Sequence, residues 1–118
     1  MLNLTHKNLE AFKSSKQLCK EVYLIANQFP IDEKFNLTSQ LKRASISVCS
    51  NIAEGSSRKS VAERKRFYEI SRGSIVEIDT QIEIALMLNL ITKEQLEVLK
   101  PHVISTFKLL TGLINKQQ

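Results

Sequence analysis

Leu37, Leu41, Ala44, Val48 and Ile52 fall on one face of the chain if it turns by about 100° per residue, which is the period of an α-helix packed along one side. Three further stretches repeat the pattern. Leu9, Phe12, Cys19, Val22, Tyr23, Ala26 and Phe29 mark a first helix over about 7–29, with Lys16 snorkelling from the stripe and Pro30 stopping it. The Leu37 stretch predicts a second helix over 37–56. A third, over 61–89, carries Phe67, Ile70, Ser74, Ile78, Ala85 and Leu88 on its main face, and Ser60 with Glu63 gives it a capping box. The fourth, over 93–115, opens with Thr92 and Gln95 and carries Leu96, Leu99, Val103, Phe107, Leu110 and Ile114. Pro101 should kink or split it.

Composition supports the same reading. Only three Gly and two Pro occur in 118 residues, too few for a turn-rich sheet protein. The expected fold is therefore all-α: a single domain over 1–118, forming an antiparallel up-down-up-down four-helix bundle with short connections. The chain opens without a basic-then-apolar leader, and no apolar run approaches the roughly 20 residues that cross a bilayer, so a cytoplasmic protein with no membrane partner is expected. Cys19 and Cys49 lie inside helical patterns without metal-type or redox-type spacing and read as free core thiols.

Two features exceed what one bundle needs. Ile46 and Ala53, with Cys49, form a second apolar strip on the second helix, and Tyr68, Ile75 and Ile82 repeat every seven residues on a flank of the third. Each strip is either a wide core face or an oligomer interface. The second feature is charge. Residues 37–72 hold eight Lys and Arg against three Glu, whereas the other nine basic and nine acidic residues cancel. All five arginines lie in that window, which makes Lys42, Arg43, Arg58, Lys59, Arg64, Lys65, Arg66 and Arg72 the candidate nucleic-acid-binding residues. The same residues can instead form a solvated face or pair with Glu54, Glu63 and Glu69 across subunits. Aromatic residues near the window are few, which favours phosphate or shape contact with structured RNA over base stacking.

Other chemistries lack their apparatus in the sequence. Neither His6 nor His102 follows a Glu by three residues, so no di-metal bundle motif is present and no metal or cofactor is expected. No Ser sits in a nucleophile elbow, and three scattered glycines form no phosphate-cradling loop. The chain is not expected to be an enzyme.

The segment SQLKRASISVCSNIAEGSSRKSVAERKRFYEISRGSIVEI resembles the 23S ribosomal RNA intervening-sequence proteins, a four-helix-bundle family. SNIAEG with Arg58, and RGS followed by Glu77, stand at the family's spacing. The resemblance runs from NLEAFKSSKQL to the last helix and is weakest after Asn89. It marks Asn51, Glu54, Gly55, Arg58, Gly73, Ser74 and Glu77 as motif positions, for which ties between helices or between subunits are a better expectation than catalysis. Gly55 fits a left-handed helix end, Gly73 a close helix approach, and Glu77 a buried carboxylate satisfied by Arg43 or Asn51. Family members are similar in fold to the accessory variability protein of diversity-generating retroelements, a pentameric, nucleic-acid-binding bundle. The resemblance thus implies a homo-oligomeric ring, a homopentamer. The expected function is a non-enzymatic nucleic-acid-binding protein directed at structured RNA, with a possible protein partner. The alternative is an oligomeric interaction scaffold with no direct nucleic-acid role.

Overall fold

The computed structural model describes residues 1–117. Four long α-helices account for most of it: α1 (Glu10–Ala26), α2 (Leu37–Ser56), α3 (Val61–Met87) and α4 (Lys93–Asn115). Single 3-10 turns at Thr5–Asn8 and Ile31–Glu33 flank α1. The first helix is thus shorter at both ends than its apolar spacing predicts, because Leu9 is extended and the chain after Ala26 tightens into turns before Pro30. At about 1.5 Å per residue α3 is about 40 Å long, and it nearly spans the 43 Å long axis of the molecule.

The helix ends follow the local chemistry. Thr92 Oγ1 accepts from the Gln95 amide at 3.1 Å, and the Gln95 side chain accepts from the Thr92 amide at 2.9 Å, a complete capping box. Ser60 Oγ accepts from the Glu63 amide at 3.0 Å at the start of α3. That helix ends through Asn89, whose φ of 59° lets the Leu90 amide reach back to the Ala85 carbonyl at 2.8 Å, a Schellman closure made by Asn in place of Gly. Pro101 sits inside an unbroken α4, so the expected split does not occur. Neighbouring turns on either side carry the helix past one missing donor.

Around the bundle α2 packs on α1 and α3, and α4 packs on α1 and α3. Leu37, Leu41, Ala44, Val48 and Ile52 are buried, as their spacing predicts. Val22 and Ala26 of α1, and Phe29 just beyond it, are buried as expected, but Ala11, Ser15, Leu18 and Ile25 complete the inward stripe, which leaves Phe12, Cys19 and Tyr23 half-buried and Lys16 exposed. On α3 the core face is rotated from the one expected. Tyr68, Ile75 and Ile82 are 3%, 1% and 6% exposed and belong to the protomer's own core, so the expectation that they meet another subunit is corrected. Ile70 and Leu88, expected inside, are exposed. The two sets lie on adjacent sides of α3, and apolar spacing alone cannot decide which of them meets α2 and α4.

Small polar residues fill the α2–α3 seam. Ser71 Oγ donates to the Val48 carbonyl at 2.7 Å, and Ser74 Oγ donates to Ser47 Oγ at 3.0 Å. Asn51 Nδ2 donates to the Ser47 carbonyl at 2.9 Å and to its hydroxyl at 3.0 Å. Ser56 Oγ and Tyr68 Oη share a hydrogen bond of 2.9 Å. These side chains let the two helices approach closely while each buried hydroxyl keeps a partner.

Candidate nucleic-acid interface

The turn at 57–60 joins α2 to α3 at one end of the molecule, where the C-terminal end of α4 also arrives. Around it the eight predicted basic residues separate into three groups. Arg58, Lys59, Lys65 and Arg66 are exposed at this end. The Arg58 guanidinium lies 5.0 Å from the centroid of the Phe67 ring and that of Arg66 lies 5.9 Å from it, so two arginines converge on one ring. Arg58 also meets Glu54 at 3.7 Å, a solvated one-turn pair of small energetic weight. Lys65 and Arg66 line a shallow surface depression with Ala62, Glu69 and Ile70.

Arg64 and Arg72 have internal work. Arg64 Nη1 donates to the carbonyls of Arg58 at 3.2 Å and Lys59 at 2.7 Å, and its Nε donates to Gln117 Oε1 at 3.0 Å. It thereby caps the open carbonyls of the turn and fastens the end of α4 to it. Arg72 Nη1 donates to Thr111 Oγ1 at 3.1 Å and stacks 5.6 Å from the Phe107 centroid, joining α3 to α4. Both are half-buried.

Lys42 and Arg43 belong elsewhere. They precede Ser56 by more than three turns, about 20 Å along α2. Lys42 Nζ donates to Asn27 Oδ1 at 2.5 Å and lies over the Tyr23 ring at 5.0 Å, bridging to the end of α1. Arg43 lines a groove between α2 and α3 with Gln40, Ala44, Ser47, Glu77 and Gln81. The single basic window expected from the sequence is therefore divided along the bundle. Close positions in sequence are distant in space once they fall on different turns of a long helix.

The motif glycines and acids also depart from expectation. Gly55 has no positive φ. A Cβ there would stand 2.8 Å from Tyr68 Cε1 and 3.0 Å from Phe67 Cβ, so the glycine admits the buried tyrosine ring. Gly73 faces open space with nothing within 4 Å of a built Cβ, and it marks no close approach. Glu77 is exposed on the rim of the α2–α3 groove and does not pair with Arg43, while Asn51 spends its amide on Ser47. Glu54 is exposed beside Arg58, and Ile46 is exposed with Ala53 half-buried next to it. Ser71 and Gln81 carry no sequence pattern that marks them as buried. Ser74 is buried on the face expected to be core, whereas the inward placement of Ser71 is readable only once that side is known.

A family model for the 23S rRNA-intervening sequence protein matches residues 7–112. The chain belongs to that family. The 23S rRNA-intervening sequence protein model thus covers all of α1, α2 and α3 and most of α4. Among solved structures, the chain is similar to a protein of unknown function from the S23 ribosomal protein family of Bacteroides thetaiotaomicron. The two share 21% identity with a TM-score of 0.82, over 90% of this chain and 96% of that one, a likeness that establishes the fold alone. No curated protein matches the sequence. No helix of the described residues is long and apolar enough to cross a membrane, and no group of three or more His, Cys, Asp or Glu side chains among them could hold a metal ion.

Proposed function

We propose that this family member is a non-enzymatic, cytoplasmic RNA-binding bundle that contacts phosphates through Arg58, Lys59, Lys65 and Arg66. The observation that carries the reading is the convergence of Arg58 and Arg66 on the Phe67 ring beside two exposed lysines. Two guanidinium groups on one ring with two lysines beside them concentrate positive charge, which an anion offsets. The first amides of α3 point to the same end and add to the positive field. The family's own name ties its members to sequences within 23S rRNA, and a structured RNA is the ligand this arrangement favours.

The reading includes an up-down-up-down order and a homo-oligomeric ring of five. The order is supported by contacts that climb one helix as they descend its neighbour. Ser56 meets Tyr68 and Ser47 meets Ser74, Asn27 meets Lys42 and Cys19 meets Ser45, and Gln28 meets Gln95 and Ser14 meets Thr106. Assembly is supported by the outer side of α3, where Val76, Ile84 and Met87 are exposed away from the core.

The test is binding of structured RNA over a salt series, with Arg58, Lys65 and Arg66 reversed to Glu together. Affinity should fall steeply with salt, by about tenfold or more between 50 and 200 mM if several phosphates are engaged. The triple reversal should remove binding and leave the helical circular dichroism unchanged. Unaltered affinity in that variant would falsify the proposal. A second reading, an interaction scaffold with protein partners and no RNA role, is favoured by the Arg58–Glu54 pair and by the internal bonds of Arg64 and Arg72, since three of the turn's four arginines already have protein partners. An assembly indifferent to RNA at low salt would select it.

A further inference from the structure

We propose that Cys19 and Cys49 form a redox-modifiable dithiol that closes, under a disulfide oxidant such as glutathione disulfide, into a bond joining α1 to α2.

The two cysteines are thirty positions apart in sequence, and packing brings them to adjacent turns of the α1–α2 contact. Ser15 and Cys19 lie one turn apart on α1, as Ser45 and Cys49 do on α2. Ser45 Oγ lies 3.5 Å from Cys19 Sγ, and the Cys49 thiol interacts with the side chains of both Ser15 and Cys19. Thus Ser15 stands level with Cys49, and Cys19 level with Ser45. Four small side chains at the crossing hold the helices close.

Helix geometry then turns the thiols toward one another. Every Cα–Cβ bond leans toward the N-terminus of its own helix. Cys19 therefore leans toward the level of Ser15, where Cys49 is, and Cys49 leans toward the level of Ser45, where Cys19 is. The serines are held in place by their own carbonyl bonds, Ser15 to Phe12 at 2.6 Å and Ser45 to Lys42 at 2.8 Å, and Ser45 Oγ also lies against Cys19 Sγ. Neither thiol is sealed, since both cysteines are only half-buried. Burial pushes the Cys49 thiol above its ordinary range, so formation of its thiolate, and with it the exchange, accelerates as pH rises.

The chemistry needs no further reactant. One protein thiolate attacks glutathione disulfide, expelling a glutathione thiolate and leaving a mixed disulfide. The second protein thiolate attacks the protein sulfur of that mixed disulfide and expels the second glutathione. The two protein thiols give up two electrons and two protons, and glutathione disulfide takes them up as two glutathione thiols.

The full-length chain is equilibrated at pH 8 with glutathione buffers of increasing oxidised fraction, quenched by alkylation, and read by intact mass and peptide mapping. The expected product is an intramolecular Cys19–Cys49 cross-link that resists alkylation and raises the urea midpoint, because the bond closes the segment that contains the α1–α2 connection. Cys19→Ser and Cys49→Ser should each stop at a mixed disulfide with no gain in midpoint. In parallel, a trivalent arsenical such as phenylarsine oxide should bind the reduced wild-type chain once through both sulfurs, and either single variant should lose that binding. Stable glutathionylation of separate thiols, cross-links between chains only, or an arsenical that binds the variants as it binds wild type would overturn the proposal.

Discussion

At the residue scale, two glycines of one family motif set have opposite physical meanings. A methyl group at Gly55 would press on the ring of Tyr68, which is buried and hydrogen-bonded to Ser56 and so cannot swing away. Overpacking of this kind costs about 1–3 kcal/mol, more than the helix propensity gained near a helix end. Gly73 has open space and ordinary helical backbone, and alanine there should add about 1 kcal/mol. Urea unfolding of Gly55→Ala and Gly73→Ala should therefore move the midpoint in opposite directions, and equal shifts would mean that the Tyr68 contact is absent. A second residue-scale outcome concerns pH. Burial raises the Cys49 thiol above its reference value of 9.0, so the folded state holds this proton more tightly than the unfolded chain. The stabilisation it brings is complete below the unfolded value and declines as pH climbs through the folded one. Unfolding titrations between pH 8 and 11 should show stability falling, and Cys49→Ser should flatten that alkaline decline.

At the element scale, α3 is the helix whose orientation mattered most. It carries apolar residues on more than one side, with Tyr68, Ile75 and Ile82 toward the core and Ile70, Val76, Ile84 and Met87 outward. Truncation separates the two sides. Ile75→Ala should lower unfolding free energy by about 2–5 kcal/mol, as large-to-small changes in packed cores do, with no concentration dependence of its own. A change in assembly without that loss of stability would return Ile75 to an interface. The α2–α3 pair shows a related lesson in polar form. Ser47, Ser74 and Asn51 satisfy one another across a close contact and Ser71 donates to the Val48 carbonyl beside them, so small polar residues are part of the seam.

For the whole molecule, the relevant quantities are charge distribution and exposed apolar area. The net charge of +5 arises entirely within residues 37–72, and the fold sends part of that excess to the end where α2 turns into α3. An exposed Val76 and Ile84 on the outer side of α3 offer a surface that another copy can cover. In the oligomer proposed above, Val76→Lys combined with Ile84→Lys should keep the monomer folded, since both side chains are exposed, and reduce the mass seen by light scattering to that of one chain. An unchanged oligomer would place the contact elsewhere. If assembly brings several basic ends to one rim, RNA affinity should drop in the same variant although no basic residue has been altered.

Sequence alone determined the number of helices, their starts at Ser60 and Thr92, and the inward face of α2, because capping and a single apolar stripe are local properties set within one or two turns. It also located the excess charge in the chain. Only tertiary structure decided which side of α3 is core, that Gly55 serves Tyr68 while Gly73 serves no contact, and that Arg64 and Arg72 fasten helices while Arg58 and Arg66 stand exposed beside Phe67. It also brought Cys19 against Cys49. Each of these depends on which residues of a different helix arrive opposite, and a spacing within one helix carries no record of that.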